Sequence, residues 1–235
     1  MIHLKSARNL QVRPSVVGTV HSLKGIREAL RLHPSDLDFL EIRLDSFASD
    51  LRPLIRAIPK LPLPLIFTAR HPSEGGAGTL LAKDRRSLFA QFIPVATFID
   101  IELRSIQQLE STITDAHSAG VGLILSDHHF ASLPPPQRIE KLFQSGQSSG
   151  ATICKLAART DHPSAVAKLL ALFCKKTPLP LSVMGMGVFG KVSRLLLAQA
   201  GSVLNYGYLD QPNAPGQWPA ILLKQRIAEL HSTSA

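Results

Sequence analysis

Two kinds of apolar pattern alternate along the chain. Short runs rich in β-branched residues, which are typical of strands, occupy residues 16–20, 39–45, 64–70, 97–103, 121–126, 151–158, 179–184 and 203–209. Segments with apolar residues at helical spacing lie at residues 23–32, 51–58, 82–90, 107–119, 137–145, 164–174, 188–200 and 220–230. Strands and helices that alternate in this way indicate βαβ units and a parallel sheet.

The number of strand-like runs favours a closed barrel over an open sheet. Eight runs over 235 residues match a (β/α)8 TIM barrel, which typically has ~250 residues. No Gly-x-Gly-x-x-Gly segment follows the first run, so an open dinucleotide-binding sheet has no support. No low-complexity linker divides the chain, and we predict a single α/β domain, a (β/α)8 barrel over residues 1–235.

One lysine, Lys155, interrupts the apolar run at residues 151–158. A lysine in a buried strand either extends its ammonium group to water or becomes desolvated. Desolvation lowers the pKa of the amine, which can then attack a carbonyl group and form a Schiff base. The alternative is a structural lysine that is ion-paired or reaches solvent at the strand end.

Polar residues cluster where the predicted strands end. Because alternate residues of a strand share a face, one face at each end carries these groups: Glu41, Arg43 and Asp45; Thr68 and Arg70; Asp100 and Glu102; Ser126 and His128; Lys155; and Met184 with Met186. The carboxyl ends of barrel strands are where active sites form. These residues therefore predict a polar pocket, with an ion-pair network that closes the barrel mouth as the structural alternative.

The charge of the chain indicates an anionic partner but does not favour nucleic acid. The formal net charge is +9, which suits a nucleic acid, an acidic lipid or a small acid. Basic residues are scattered, with no run longer than two, and aromatic residues make up 6% of the chain. A stacking platform for single strands is poorly supported. We therefore expect a small acid and no nucleic acid.

Cysteine usage and hydropathy predict a protein of the cytoplasm. Cys154 and Cys174 show no metal-ligand spacing, so we expect buried free thiols in a reducing compartment. No apolar run reaches 18 residues, and the charged N-terminal segment leads into no long apolar region. We expect no membrane association and no export.

Seven segments, in chain order, carry a resemblance to one enzyme family. They are EIRLD (41–45), TAR (68–70) followed by EGG (74–76), DIEL (100–103), SDHHF (126–130), CKLAA (154–158), MGMGVFGKVSR (184–194) and APGQW (214–218). The chain resembles type I 3-dehydroquinate dehydratase over its whole barrel. The resemblance implies dehydration of 3-dehydroquinate to 3-dehydroshikimate, the third step of the shikimate pathway, with no metal and no organic cofactor. The family is often dimeric, so a homodimer is expected.

The resemblance also implies catalytic roles for particular residues. Lys155 would form an imine with the C3 ketone, and His128 would remove the C2 proton and protonate the leaving C1 hydroxyl. Glu102 would hold the His128 ring in position. His129 is the rival for the base, but it lies on the opposite face of the strand, and we assign the role to His128.

Further residues are matched to the substrate by the same resemblance. Arg194 would bind the carboxylate, while Glu41, Arg43 and Arg70 would meet the ring hydroxyls and the surrounding charge. Gln217 and Asn213 would belong to a closing lid that follows the last strand. Asn213 replaces the family's usual serine, and a turn-forming role for it is the alternative.

Other interpretations of the sequence remain open at this point. His129 stands where the family usually has an acid or amide, and Asp127 where an uncharged residue is common. Gly185, Gly187 and Gly190 fit either a phosphate cradle or, as we prefer, a tight strand-to-helix turn. A class I aldolase would share the barrel and the lysine, and an anion- or nucleic-acid-binding barrel would need no catalysis.

Overall fold

Eight parallel strands close into a barrel in the computed structural model, which describes residues 14–232. They are β1 (Ser15–Val20), β2 (Phe39–Arg43), β3 (Leu65–Thr68), β4 (Phe98–Glu102), β5 (Gly122–His129), β6 (Ile153–Arg159), β7 (Leu181–Met186) and β8 (Leu204–Tyr208). From β1 to β7 each strand pairs with the next one in the chain, and β8 pairs with β1. Within residues 14–232 no regular strand ladder joins β7 to β8, which lie side by side at the seam of the barrel. The predicted (β/α)8 architecture is confirmed.

A helix follows each strand and packs on the outside of the barrel. The helices are α1 (Leu23–Ala29), α2 (Arg52–Ala57), α3 (Ala82–Phe92), α4 (Glu110–Ser118), α5 (Pro136–Ser148), α6 (Pro163–Leu170), α7 (Gly190–Ala200) and α8 (Ala220–Ser232). Within residues 14–232, no helix is both long and apolar enough to cross a lipid bilayer. The N-terminal segment on which the expectation of no export partly rests lies outside the described residues.

Two serines hold β7 and β8 together where the barrel closes. The Ser182 hydroxyl donates to the Leu204 carbonyl at 2.6 Å. The Val183 N–H donates to the Ser202 hydroxyl at 2.9 Å, and Val203 N–H bonds the Leu181 carbonyl at 3.0 Å. Side-chain hydroxyls thus satisfy backbone groups that a regular strand ladder would otherwise pair.

The barrel interior is apolar at one end and polar at the other. On β4, the inward positions begin with Phe98, which packs edge-on against Phe39 with ring centroids 5.8 Å apart. Asp100 and Glu102, two and four residues after Phe98, lie on the same face of β4, and both are buried. The two-residue repeat of the strand therefore places these carboxylates at the carboxyl end of the barrel, above a layer of apolar side chains.

Several element boundaries differ from the predicted ones. β5 extends to His129, beyond the predicted end at residue 126, because His128 and His129 stay in register with Ala157 and Ala158 of β6. Their polar side chains hid this extension in the hydropathy pattern. α4 starts at Glu110, three residues later than predicted, because a 3₁₀ turn at Leu103–Ser105 follows β4.

The expectation of two buried thiols is wrong for one of them. Cys154 on β6 is fully buried, and burial raises the pKa of its thiol to about 12. Cys174 is exposed, because α6 ends at Leu170 and the following 3₁₀ turn, Ala171–Cys174, packs Leu172 and Phe173 against the core and leaves Cys174 on the surface. The predicted helix over 164–174 is correspondingly shorter.

Candidate active site

A cavity opens at the carboxyl ends of the strands and collects most of the predicted site residues. Its lining includes Thr19, Glu41, Arg43, Arg70, Glu74, His128, Phe130, Lys155, Met184, Met186, Arg194, Tyr206, Asn213 and Gln217. These side chains come from six strands, from α7 and from the loops after β3, β5 and β8. Glu102, which we predicted to be catalytic, is not among the lining residues.

Lys155 lies at the floor of this cavity and is buried. Its ammonium group donates to the Asp100 carboxylate at 2.8 Å and lies 3.7 Å from Glu41. The Tyr206 ring covers it, with Nζ 3.8 Å from the ring centroid. Lys155 is thus both desolvated and ion-paired, so it has to lose a proton before it can attack a carbonyl group.

The Asp100 carboxylate joins Lys155 to a second cation. One oxygen accepts from Arg70 at 2.9 Å and from Ser126 at 2.6 Å, while the other takes Lys155. Burial by itself would raise the pKa of Asp100, but the adjacent Arg70 and Lys155 hold it well below its ordinary value. Asp100 therefore remains an anion and fixes both cations in place.

Glu102 belongs to a network behind the cavity. It accepts from Arg70 at 3.1 Å, from the Ser105 hydroxyl at 2.8 Å and from the backbone N–H of His71 at 2.9 Å. Its other partner is Arg85 of α3, which is fully buried and also donates to the Ala69 carbonyl. None of these bonds involves His128.

The carboxylate that contacts His128 is Glu74. Its Oε2 lies 2.9 Å from His128 Nδ1 and accepts the His128 backbone N–H at 3.1 Å. We predicted that Glu102 would contact the His128 ring; in the structure Glu74 makes this contact, and Glu102 does not. Arg104 forms an ion pair with the second oxygen of Glu74, with Nε and Oε1 3.1 Å apart.

Two glycines make this position of Glu74 possible. The chain turns sharply after β3 through a 3₁₀ turn that ends at Gly75, whose φ is 82°. At Gly76 an added Cβ would lie 2.1 Å from the Arg70 carbonyl oxygen. We noted the segment EGG in the sequence but assigned no role to Glu74. The local sequence does not indicate which strand the side chain of this turn residue will contact.

The electrostatics of the His128–Glu74 pair keep the imidazole neutral, which is the form that can accept a proton. Burial, aided by Arg70 and Lys155, holds the pKa of His128 well below its ordinary value. Burial also raises the pKa of Glu74 to about 7. A neutral ring that donates Nδ1–H to an ionised Glu74 leaves Nε2 free to accept a proton.

The neighbouring His129 is turned out of the cavity. Its Nε2 lies 2.8 Å from Asp127, which is also held by the Arg138 guanidinium of α5 at 2.7 and 2.8 Å. Two of the three residues that depart from the family pattern, Asp127 and His129, thus pair with each other on the outer face of β5. His128 alone of the two histidines lines the cavity.

Arg194 and the loop after β8 form the opposite wall. Arg194 is buried on α7; one Nη donates to the Tyr206 carbonyl at 2.8 Å, and its Nε has no hydrogen-bond partner within residues 14–232. Burial lowers the pKa of Arg194 to about 10, which still leaves a cation at neutral pH. Gln217 is buried and accepts the backbone N–H of Asn213 at 3.0 Å, while the Asn213 side chain is exposed at the rim.

Glu41 and Arg43 are held by neighbouring polar groups. Glu41 accepts from Thr68 at 2.9 Å and from Thr19 at 3.2 Å. Arg43 forms a two-point ion pair with Asp45, at 3.0 and 2.7 Å. Asp45 therefore supports Arg43 and does not line the cavity itself.

The glycines at the end of β7 and in the turn that follows it pack too closely to surround a phosphate. An added Cβ at Gly185 would lie 2.1 Å from the Ser193 hydroxyl, and one at Gly190 would lie 2.8 Å from the Gly216 Cα. These contacts favour the predicted tight turn. In the described part of the chain, no three His, Cys, Asp or Glu side chains are grouped to hold a metal ion.

Comparisons with known proteins agree with this arrangement. The model of the type I 3-dehydroquinase family matches residues 16–234. This chain belongs to that family. It is 33% identical to 3-dehydroquinate dehydratase of Methanocella arvoryzae over 207 residues, which cover 87% of this chain and 91% of the relative. It is 34% identical to the enzyme of that name from Klebsiella pneumoniae, with 77% of each chain covered.

A solved structure from the same family shows the same barrel. Type I 3-dehydroquinate dehydratase of Clostridium difficile, described with covalently modified comenic acid, superposes with a TM-score of 0.81 at 25% identity. The comparison covers 94% of this chain and 93% of that one. The family membership removes the support for a non-catalytic anion-binding barrel.

The buried network makes Arg85 a stability determinant. Replacing it by Met leaves the buried Glu102 carboxylate with one guanidinium partner instead of two, and we expect a loss of about 3 kcal/mol or more in the free energy of unfolding. Urea denaturation measures this loss.

The adjacent Arg86 provides the matched control. It is exposed and donates to the Gln108 carbonyl at 2.8 Å. Arg86→Met should change the unfolding free energy by about 0.5 kcal/mol or less. Equal effects of the two variants would show that the Arg85–Glu102 pair contributes nothing specific.

Proposed function

We propose that this protein dehydrates 3-dehydroquinate to 3-dehydroshikimate through an imine on Lys155. The observation that carries the proposal is the buried Lys155 in one cavity with the His128–Glu74 pair and with Arg194. Family membership supports the same substrate and reaction. The reaction would serve the shikimate pathway, which the names of the relatives support.

Arg194 is the natural site for the substrate carboxylate. No carboxylate of the described chain pairs with its buried guanidinium group, so an anionic ligand would supply the missing counter-charge. A guanidinium group matches a carboxylate in two-point geometry. Glu41, Arg43, Gln217 and Asn213 surround the remaining space and would meet the ring hydroxyls.

Lys155 would attack the C3 ketone once its proton has left. His128 is the nearby group with free proton-accepting capacity, because Asp100 is held as a strongly stabilised anion. The protonated imine then withdraws electrons from C2 and acidifies its proton. Asp100 and Glu41 would stabilise the positive charge of that imine.

His128 would next take the C2 proton and return a proton to the C1 hydroxyl as it leaves. Glu74 orients the ring through Nδ1, in the role we had predicted for Glu102. The same histidine can serve both transfers because a proton gained in the first is available for the second. Hydrolysis of the imine would release the enone product.

The direct test is enone absorbance together with borohydride trapping in the presence of 3-dehydroquinate. We expect activity, and a reduced adduct on Lys155 identified by peptide mapping. Lys155→Met should abolish the adduct and the activity, while Lys168→Met, on the exposed face of α6, should retain both. Activity with no label, or a label on another lysine, would refute the imine mechanism.

The choice of histidine is tested by two single substitutions. His128→Ala should slow turnover by about 10²–10⁴, the usual worth of general acid–base catalysis, because the ring serves both proton transfers. His129→Ala should stay within a few-fold of wild type, since its ring faces Asp127. A larger effect at His129 in steady-state assays would reverse the assignment.

Glu74 should impose an acid limb on the pH profile. Below about pH 7 its carboxyl group gains a proton and no longer accepts from His128, so kcat/KM should fall as pH is lowered through 7. Glu74→Gln should reduce activity and remove this limb. Glu140→Gln, on the exposed face of α5, should keep it, and an unchanged limb in Glu74→Gln would assign the titration to another group.

A further inference from the structure

The Tyr206 hydroxyl is a buried polar group that the proposed mechanism leaves unused. Tyr206 lies on β8, is 4% exposed and lines the cavity. Its hydroxyl oxygen has no hydrogen-bond partner within residues 14–232. Buried hydroxyl groups are normally paired, and one left unpaired at a cavity wall indicates a missing ligand atom.

The position of the ring places this hydroxyl close to any group that becomes bonded to Lys155. Lys155 Nζ lies 3.8 Å from the ring centroid, so the hydroxyl projects from the edge of the ring that covers the amine. A carbon atom bonded to Nζ would carry its oxygen beside this ring. The nearby acceptors are already engaged, since Glu41 takes two threonine hydroxyls and Asp100 takes three donors.

The hydroxyl retains its proton at neutral pH. Burial, reinforced by the negative charges of Glu41 and Asp100, raises the pKa of Tyr206 well above its ordinary value. It can therefore donate a hydrogen bond to a carbonyl oxygen, as an uncharged donor, throughout the range in which the enzyme would work.

We propose that the Tyr206 hydroxyl binds the oxygen of the substrate ketone and donates a hydrogen bond to it while Lys155 adds to the carbon. The proposal rests on the proposed function and names a further group that contacts the substrate. Tyr206 would act as half of an oxyanion site, stabilising the negative charge that develops on oxygen.

The step balances with His128 as the proton carrier. His128 takes one proton from the Lys155 ammonium; the neutral amine forms the C–N bond, and the carbonyl π electrons move to oxygen. A second nitrogen proton passes to that oxygen, and His128 returns the first. The C–O bond then breaks, water leaves, and the nitrogen lone pair forms the protonated imine.

The test compares the two tyrosines of the chain. Tyr206→Phe keeps the ring over Lys155 and removes the hydroxyl, so it should slow the appearance of borohydride-trapped imine about tenfold or more, toward the 10²–10³ typical of an oxyanion donor. The melting temperature should not fall. Tyr208→Phe, outside the cavity lining, should trap imine at the wild-type rate.

Other outcomes are equally decisive. Imine formation by Tyr206→Phe within twofold of wild type would overturn the proposal and leave the hydroxyl a structural feature. Absence of trapped imine in the wild type would instead refute the proposed function. These two failures are distinguishable because the wild type is measured first, in the same assay.

A second measurement keeps the Tyr206 hydroxyl in place. In the Tyr208→Phe background Tyr206 is the one tyrosine that remains, so fluorotyrosine incorporated throughout the chain reports on it alone. Fluorine makes the phenol a stronger donor, and imine formation should become faster with each added fluorine at pH values where the phenol stays protonated. A rate independent of fluorination would overturn the proposal.

Discussion

The Asp100 carboxylate is the interaction on which the site depends. It lies on the inner face of β4, is completely buried, and binds Lys155, Arg70 and Ser126 at once. A carboxylate removed from water costs several kcal/mol unless charged donors replace the solvent. Because these donors come from β5, β6 and the loop after β3, the pairing can exist only when the neighbouring strands are assembled, and folding and site assembly are therefore coupled.

The same requirement explains the second layer of charge behind the cavity. Arg70 reaches Glu102 as well as Asp100, and Glu102 in turn is held by the fully buried Arg85. Acidic and basic groups alternate along this path, so no charge in it lacks a partner. Arg194 is different, since its guanidinium group has no ion-pair partner within the described residues, and that imbalance is what makes it suitable for an acidic substrate.

The carboxylates near Lys155 have different environments and can therefore have different functions. Asp100 stays ionised because two cations outweigh its burial. Glu74 has a pKa of about 7 because burial dominates there. Asp100 thus binds the Lys155 amine as a permanent anion, whereas Glu74 can gain and lose a proton beside His128. Electrostatic support and proton exchange therefore fall to different carboxylates.

The sequence by itself determined what depends on local periodicity. Alternation along β4 and β5 placed Asp100 inside the barrel and separated His128 from His129, and eight strand–helix repeats were sufficient for the architecture. Strand period is a property of the backbone, so it can be read without knowing the partners of a side chain.

Tertiary structure decided which groups meet. Glu74, and not Glu102, contacts His128 because Gly75 and Gly76 let the loop after β3 turn beneath β5, 54 residues further along the chain. The burial of Arg85 likewise arises from packing between distant segments, and so does the position of the Tyr206 hydroxyl, which has no hydrogen-bond partner within residues 14–232. Hydrogen-bond partners across such distances depend on loop geometry and barrel closure, and neither leaves a periodic trace in the sequence.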